Sequence, residues 1–195
     1  MNLPNKLTVL RAILIPVFLF FMYADFVPFN FTIAMFVFIA ASLTDAFDGH
    51  IARKYNLVTD FGKFLDPLAD KALVIAALAV FVEYGTMGAV PFFIIIAREF
   101  MVSGLRLVTA DKGVVVAAGF WGKLKTAFTM AAIILILLIY SVTGDFDFFG
   151  FEPPPNLVVG LNLLMTIAIW LSVALTVISG LVYLKGYWKY IDSDK

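Results

Sequence analysis

Six long apolar stretches, separated by short polar breaks, dictate most of what this chain of 195 residues can become. They run at about 7–24, 29–52, 62–82, 87–109, 122–143 and 157–184. A helix needs about 20 apolar residues to cross the hydrocarbon core, so six crossings and their loops nearly exhaust the chain. Inside lipid the backbone must satisfy its own N–H and C=O groups, which here means helices. The breaks fall at Asp25-Phe26-Val27-Pro28, at 53–60, at Glu83-Tyr84-Gly85, at Asp111-Lys112-Gly113 and at 144–155. Only the last, with Pro153-Pro154-Pro155, is a loop of any length. The composition agrees: 63% of residues are hydrophobic, against about 45–50% in soluble domains. The expectation is an all-α integral membrane protein with six transmembrane helices in a single domain over 1–195. The first stretch contains Arg11 and Pro16 and shows no small-residue cleavage site, so it is read as a retained span. The absence of cysteine excludes disulfides and thiolate metal sites.

The charges fall on alternate sides of this pattern. With six crossings, the N-terminus, the 53–60 break, the 110–121 linker and the C-terminus share one side. Every lysine and arginine, from Lys6 and Arg11 to Lys189 and Lys195, lies there or in the adjoining half-span. The opposite loops carry only Asp25, Glu83, Asp145, Asp147 and Glu152. The positive-inside rule then places both termini in the cytoplasm. Removing one helix would scramble this order, so the charge map also supports the count.

Four carboxylates sit near the cytoplasmic ends of the second and third stretches. Asp45 and Asp48 are three apart and share a helix face, as do Asp66 and Asp70, four apart. Carboxylates at membrane depth are expensive and mark functional sites by default. Gly49, Ala52 and Gly62 keep the helix walls beside them low enough for a ligand, and Arg53 adds a positive charge suited to phosphate. Converging carboxylates need a cation, and an oxygen-only donor set suits Mg²⁺, Mn²⁺ or Ca²⁺. Two such ions about 3.5–4 Å apart form the usual clamp for phosphoryl chemistry. Pro67 either opens a helix capped by Asp66 or kinks the third span between its two aspartates.

A second polar set follows. Arg98 and Glu99 interrupt the fourth stretch, and Arg106 lies eight residues after Arg98, about 80° round the helix. Lys123 and Lys125 stand at the start of the fifth stretch. An anion pocket built from these four cations competes with plainer readings. Arg98 could pair with Glu99 or a motif aspartate, Arg106 could snorkel to the interface, and the lysines could be ordinary positive-inside residues. Asn5 is either the cap of the first helix or, with Thr8, a hydrogen-bonding group for a nucleotide. His50 is read as a bystander, and Trp121, Trp170 and Trp188 as interface anchors or core.

The run Asp45-x2-Asp48-Gly49-x2-Ala52-Arg53-x8-Gly62-x3-Asp66-x3-Asp70 resembles the signature of the CDP-alcohol phosphotransferases, with each of its eight specified positions present. The likeness extends through most of the chain. Pro4-Asn5-x-Leu7-Thr8-x-x-Arg11, Ala97-Arg98-Glu99-Phe100, Gly104-Leu105-Arg106 and Gly122-Lys123-x-Lys125-Thr126 resemble segments of the bacterial phosphatidylglycerophosphate synthases within that family. The resemblance implies a homodimer of six-helix subunits in the bacterial inner (cytoplasmic) membrane, with a cavity facing the cytoplasm and two divalent cations, Mg or Mn. It implies transfer of the phosphatidyl group from CDP-diacylglycerol to sn-glycerol 3-phosphate, releasing CMP. By position, Asp45, Asp48 and Asp66 would be metal ligands, and Asp70 a metal neighbour and the general base. Gly49, Ala52 and Arg53 would border the CDP moiety, with Asn5, Thr8 and Gly62 also assigned to it. Arg98, Arg106, Lys123 and Lys125 would hold the acceptor phosphate. The partners expected are these substrates and membrane lipid, and no nucleic acid.

Two rivals stand beside this reading. The same chemistry with another acceptor, such as inositol phosphate, fits the four cations; serine, which carries no phosphate, fits them poorly. Outside the class, a cation transporter would use the aspartates as its path, but gives no reason for Gly49, Ala52 and Arg53. A membrane scaffold leaves the aspartates unexplained.

Overall fold

The computed structural model describes residues 3–55, 60–111, 113, 119–147, 150 and 153–188. Within these ranges the side chains of 3–4, 45–55, 60–67, 70, 111 and 146–147 lie outside the description. Six helices follow one another: α1 (Leu3–Tyr23), α2 (Asn30–Tyr55), α3 (Asp60–Glu83), α4 (Ala89–Asp111), α5 (Phe120–Asp147) and α6 (Pro155–Tyr187). Each coincides with an expected apolar stretch and overruns it by a few residues, because helix continues through the polar flanks. Among the described residues, α1, α5 and α6 are long and apolar enough to cross a membrane, and α2 has a shorter apolar part over Asn30–Thr44. The charged positions of the sequence motifs lie in α2, α3 and α4.

The breaks end the helices for identifiable reasons. Gly85, at φ 73°, adopts the left-handed conformation that closes α3, and its N–H donates to the Val82 carbonyl at 3.1 Å. Gly113, at φ 72°, closes α4 in the same way on Ala110 at 2.9 Å. α3 begins at Asp60, so Pro67 lies inside the helix and Asp66 does not cap it. The ring leaves the Lys63 carbonyl without its usual helical donor. Asn5, likewise, sits within α1 rather than capping it.

The chain packs as two compact units, 1–81 with 133–161 and 82–132 with 162–195. In the first, α1 and α2 form an antiparallel pair. Phe18 and Phe38 meet with ring centroids 5.8 Å apart, and the Asn30 amide donates to the Phe21 carbonyl at 3.2 Å. α5 is joined to the start of α2 by a single buried carboxylate. Asp145, 1% exposed, accepts from the backbone N–H of Phe31 at 3.1 Å and of Thr32 at 2.9 Å, and from the Thr32 hydroxyl. These N–H groups belong to the first turn of α2, which has no donors' partners of its own and carries the positive end of the helix dipole. Gly144 permits this approach, since a Cβ there would stand 2.5 Å from the Phe31 ring. Phe81 and Tyr140 pair edge to face at 5.9 Å near the ends of α3 and α5. α2 therefore runs against α5, and α3 runs with it. In the second unit, Arg98 meets Ser179 and Arg106 meets the Tyr183 ring, which sets α4 parallel to α6, and the start of α5 at Gly122 lies against Tyr183 near the end of α6. Helices thus alternate in direction within each unit as their order in the chain requires.

Asp145→Ala removes a charge-assisted cap from the first turn of α2. We expect it to lower stability by about 1–3 kcal/mol, read as a lower midpoint in thermal unfolding of the detergent-solubilised protein.

Candidate active site

The signature straddles the connection between α2 and α3. α2 ends at Tyr55 and α3 begins at Asp60, so the two helix ends are at most about 18 Å apart. At about 1.5 Å per residue, Asp48 and Asp66 lie about 10 Å and about 9 Å along their helices from these ends. Asp45 and Asp70 both lie about 15 Å along. The four carboxylates thus fall at two matched depths. The helical backbone over 45–55 and 60–70 also keeps the pairs Asp45–Asp48 and Asp66–Asp70 each on one face. The side chains of Asp45, Asp48, Gly49's neighbours, Ala52, Arg53, Asp66 and Asp70, and the surroundings of Gly49 and Gly62, lie outside the described residues. An all-oxygen, all-carboxylate donor set fits hard divalent cations and not soft ones.

On α1, Asn5, Thr8 and Arg11 recur every three residues and are all buried, Arg11 completely. Polar groups so enclosed are held inside the first unit rather than presented as a solvated helix end. They share the α1 face toward the end of the chain that the charge map assigns to the cytoplasm.

The second unit holds the cationic residues. Glu99 on α4 is the centre of the group. Its Oε1 accepts from Arg98 Nη1 at 3.1 Å and also from Lys125 Nζ, which α5 brings in. Lys125 is buried. The other Arg98 terminal nitrogen, Nη2, donates to the Ser179 hydroxyl on α6 at 2.6 Å. Its guanidinium lies 5.4 Å from the centre of the Tyr183 ring, and that of Arg106 lies 6.0 Å from the same ring. Tyr183 is buried, stacks on Tyr187 at 6.4 Å, and accepts from the Gly119 N–H at 3.0 Å. Gly180, one residue after Ser179, lets α4 approach, since a Cβ there would meet Arg98 Cγ at 3.3 Å. The buried Arg98 Nε has no hydrogen-bond partner among the described residues.

Three of the four expected cations therefore gather. Arg98 and Lys125 meet on one carboxylate oxygen, and Arg106 reaches the aromatic ring that Arg98 also covers. Lys123, two residues before Lys125, is exposed and on the other side of α5. The pairing of Arg98 with Glu99, left open as a plain alternative, is present. Ser179 and Tyr183 escaped the sequence reading, which treated α6 as featureless apolar span. The available signal was a recurrence of Ser172, Thr176, Ser179 and Tyr183 every three or four residues, all buried in the structure.

Comparison with known proteins supplies the class. The family described as CDP-alcohol phosphatidyltransferase matches residues 1–178. The chain belongs to this family. A Bacillus subtilis (strain 168) protein named CDP-diacylglycerol–glycerol-3-phosphate 3-phosphatidyltransferase is 42% identical over 204 residues, covering 99% of this chain and 98% of the relative. Proteins of the same name from Rickettsia bellii and Pseudomonas fluorescens are 39% and 36% identical, covering 97% and 100% of this chain and 97% and 94% of theirs. Membership in the CDP-alcohol phosphatidyltransferase family and the apolar helices make the chain a multi-pass membrane protein.

The geometry separates the two lysines at the start of α5. Lys125→Ala leaves Glu99 to Arg98 and lowers stability by about 1–3 kcal/mol; Lys123→Ala leaves the unfolding midpoint in place. Equal shifts in thermal unfolding would contradict the arrangement.

Proposed function

We propose that this protein transfers the phosphatidyl group of CDP-diacylglycerol to sn-glycerol 3-phosphate, giving phosphatidylglycerophosphate and CMP. The observation that carries the acceptor is the group Arg98, Arg106 and Lys125 against the single carboxylate of Glu99. Its surplus of two positive charges matches a phosphate monoester, which carries about −1.5 to −2 at neutral pH. An acceptor without phosphate leaves that surplus unanswered. The relatives' shared name and the complete signature support the donor.

In this reading Asp45, Asp48 and Asp66, with Asp70 as their neighbour, would hold two divalent cations, Mg or Mn, whose chemistry would be to neutralise the diphosphate and the phosphate of departing CMP. Gly49, Ala52, Gly62 and Arg53 border the CDP moiety, and Asn5 and Thr8 lie toward the nucleotide. Asp70 takes the proton of the acceptor hydroxyl. The freed oxygen forms a bond to the lipid-bearing phosphorus as the bridging P–O bond to CMP breaks. Arg98, Arg106 and Lys125 hold the acceptor phosphate, so that attack is effectively intramolecular.

The protein lies in the bacterial inner membrane with six crossings, both termini cytoplasmic and the active site facing the cytoplasm, and works as a homodimer. The alternating helix directions within each unit and the one-sided lysines and arginines support this topology.

Purified protein supplied with CDP-diacylglycerol and Mg²⁺ or Mn²⁺ tests the reading. CMP release that requires both metal and glycerol 3-phosphate is the expected result. Release with inositol phosphate instead would move the cationic pocket to another ligand, and none from folded protein would remove the activity. Asp70→Asn is expected to keep metal binding and to lose turnover by about 10²–10⁴-fold; near-normal turnover would take Asp70 out of the base role. Gly49→Leu should abolish CDP binding in a folded protein, checked by calorimetry.

A further inference from the structure

We infer that Glu99 is a positioning residue for the acceptor: it holds Arg98 and Lys125 in the attitude that receives the acceptor phosphate. The inference rests on the activity proposed above and assigns a task to an anion that such a pocket would otherwise be better without.

A carboxylate among three cations weakens any anion site, because it repels the incoming anion. Its presence therefore needs a reason, and the contacts give one. Arg98 and Lys125 come from different helices, α4 and α5, and converge on one atom, Glu99 Oε1. Without that atom, two cations with side chains only 10% and 4% exposed would face each other with no shared counterion. Buried like charges separate or lose their proton.

The Arg98 guanidinium is fixed from both terminal nitrogens, Nη1 by Glu99 and Nη2 by Ser179, with the Tyr183 ring beside it. That leaves Nε, alone among the three guanidinium nitrogens, without a hydrogen-bond partner among the described residues. A planar five-donor fork held at two corners presents its remaining edge in a set direction. Glu99 does not itself have to touch the phosphate; it acts through Arg98 and Lys125.

The test uses the full chain in detergent with saturating CDP-diacylglycerol and a titration of glycerol 3-phosphate. Wild-type turnover is measured first, because its absence removes the proposed activity and the clamp with it. In active enzyme, Glu99→Gln is expected to raise KM for glycerol 3-phosphate by about tenfold to a hundredfold. KM for CDP-diacylglycerol should stay unchanged and kcat within about threefold. A merely structural role would move both KM values and kcat together. In a Lys125→Met background the same substitution should raise KM by a smaller factor than in the wild type, because only the part of its effect that runs through Arg98 remains. An unchanged KM, or full additivity with Lys125→Met, overturns the inference. A lowered KM overturns it too, and makes Glu99 a competitor of the phosphate.

Discussion

A charge placed inside a membrane protein must find a partner, and the second unit is arranged around one such obligation. Glu99 meets Arg98 from its own helix and Lys125 from the next. Taking each ion out of water costs several kcal/mol. α4, α5 and α6 therefore cannot slide freely past one another without opening the pair or the Arg98–Ser179 bond. The small residue Gly180 and the flat face of Tyr183 complete the fit, one by vacancy and the other by shape. Stability and ligand geometry rest on the same few atoms here, so substitutions at these positions will seldom affect one alone.

The first unit solves the same problem with a helix end in place of a cation. Asp145 is fully enclosed, yet it faces two backbone N–H groups and a hydroxyl at the start of α2. The sequence map put Asp145 in an outer loop because glycine and acidic residues follow Thr143. The helix in fact continues to Asp147, and the aspartate serves packing.

Much of the architecture was legible because hydropathy at this length leaves few choices. All six helices and their breaks follow from apolar runs and from Gly85 and Gly113 at turns that need a left-handed residue. Pro67 was not legible, since proline opens helices as readily as it interrupts them, and only the start of α3 at Asp60 decides. The cationic group was legible as residues but not as a structure. Arg98, Arg106 and Lys125 could be named from their position, whereas their common attachment to Glu99 and Tyr183 depends on helices far apart in the chain. Ser179 and Tyr183 were hidden inside an apolar run, where hydroxyls at helical spacing look like tolerated substitutions in a span. Lys123 shows the limit of counting charges, because two residues along a helix turn a side chain to the other side.

The account depends most on sidedness: signature aspartates and cationic group must open to the same, cytoplasmic face. The chain has no cysteine, so single cysteines report location without background. We would place Lys54→Cys at the end of α2, and Tyr84→Cys between α3 and α4, and treat right-side-out and inverted membrane vesicles with a membrane-impermeant maleimide. The account predicts that Lys54→Cys labels only in inverted vesicles and Tyr84→Cys only in right-side-out ones. Labelling of both positions from the same side would contradict a crossing by α3, and with it the shared cytoplasmic face on which the proposed chemistry rests.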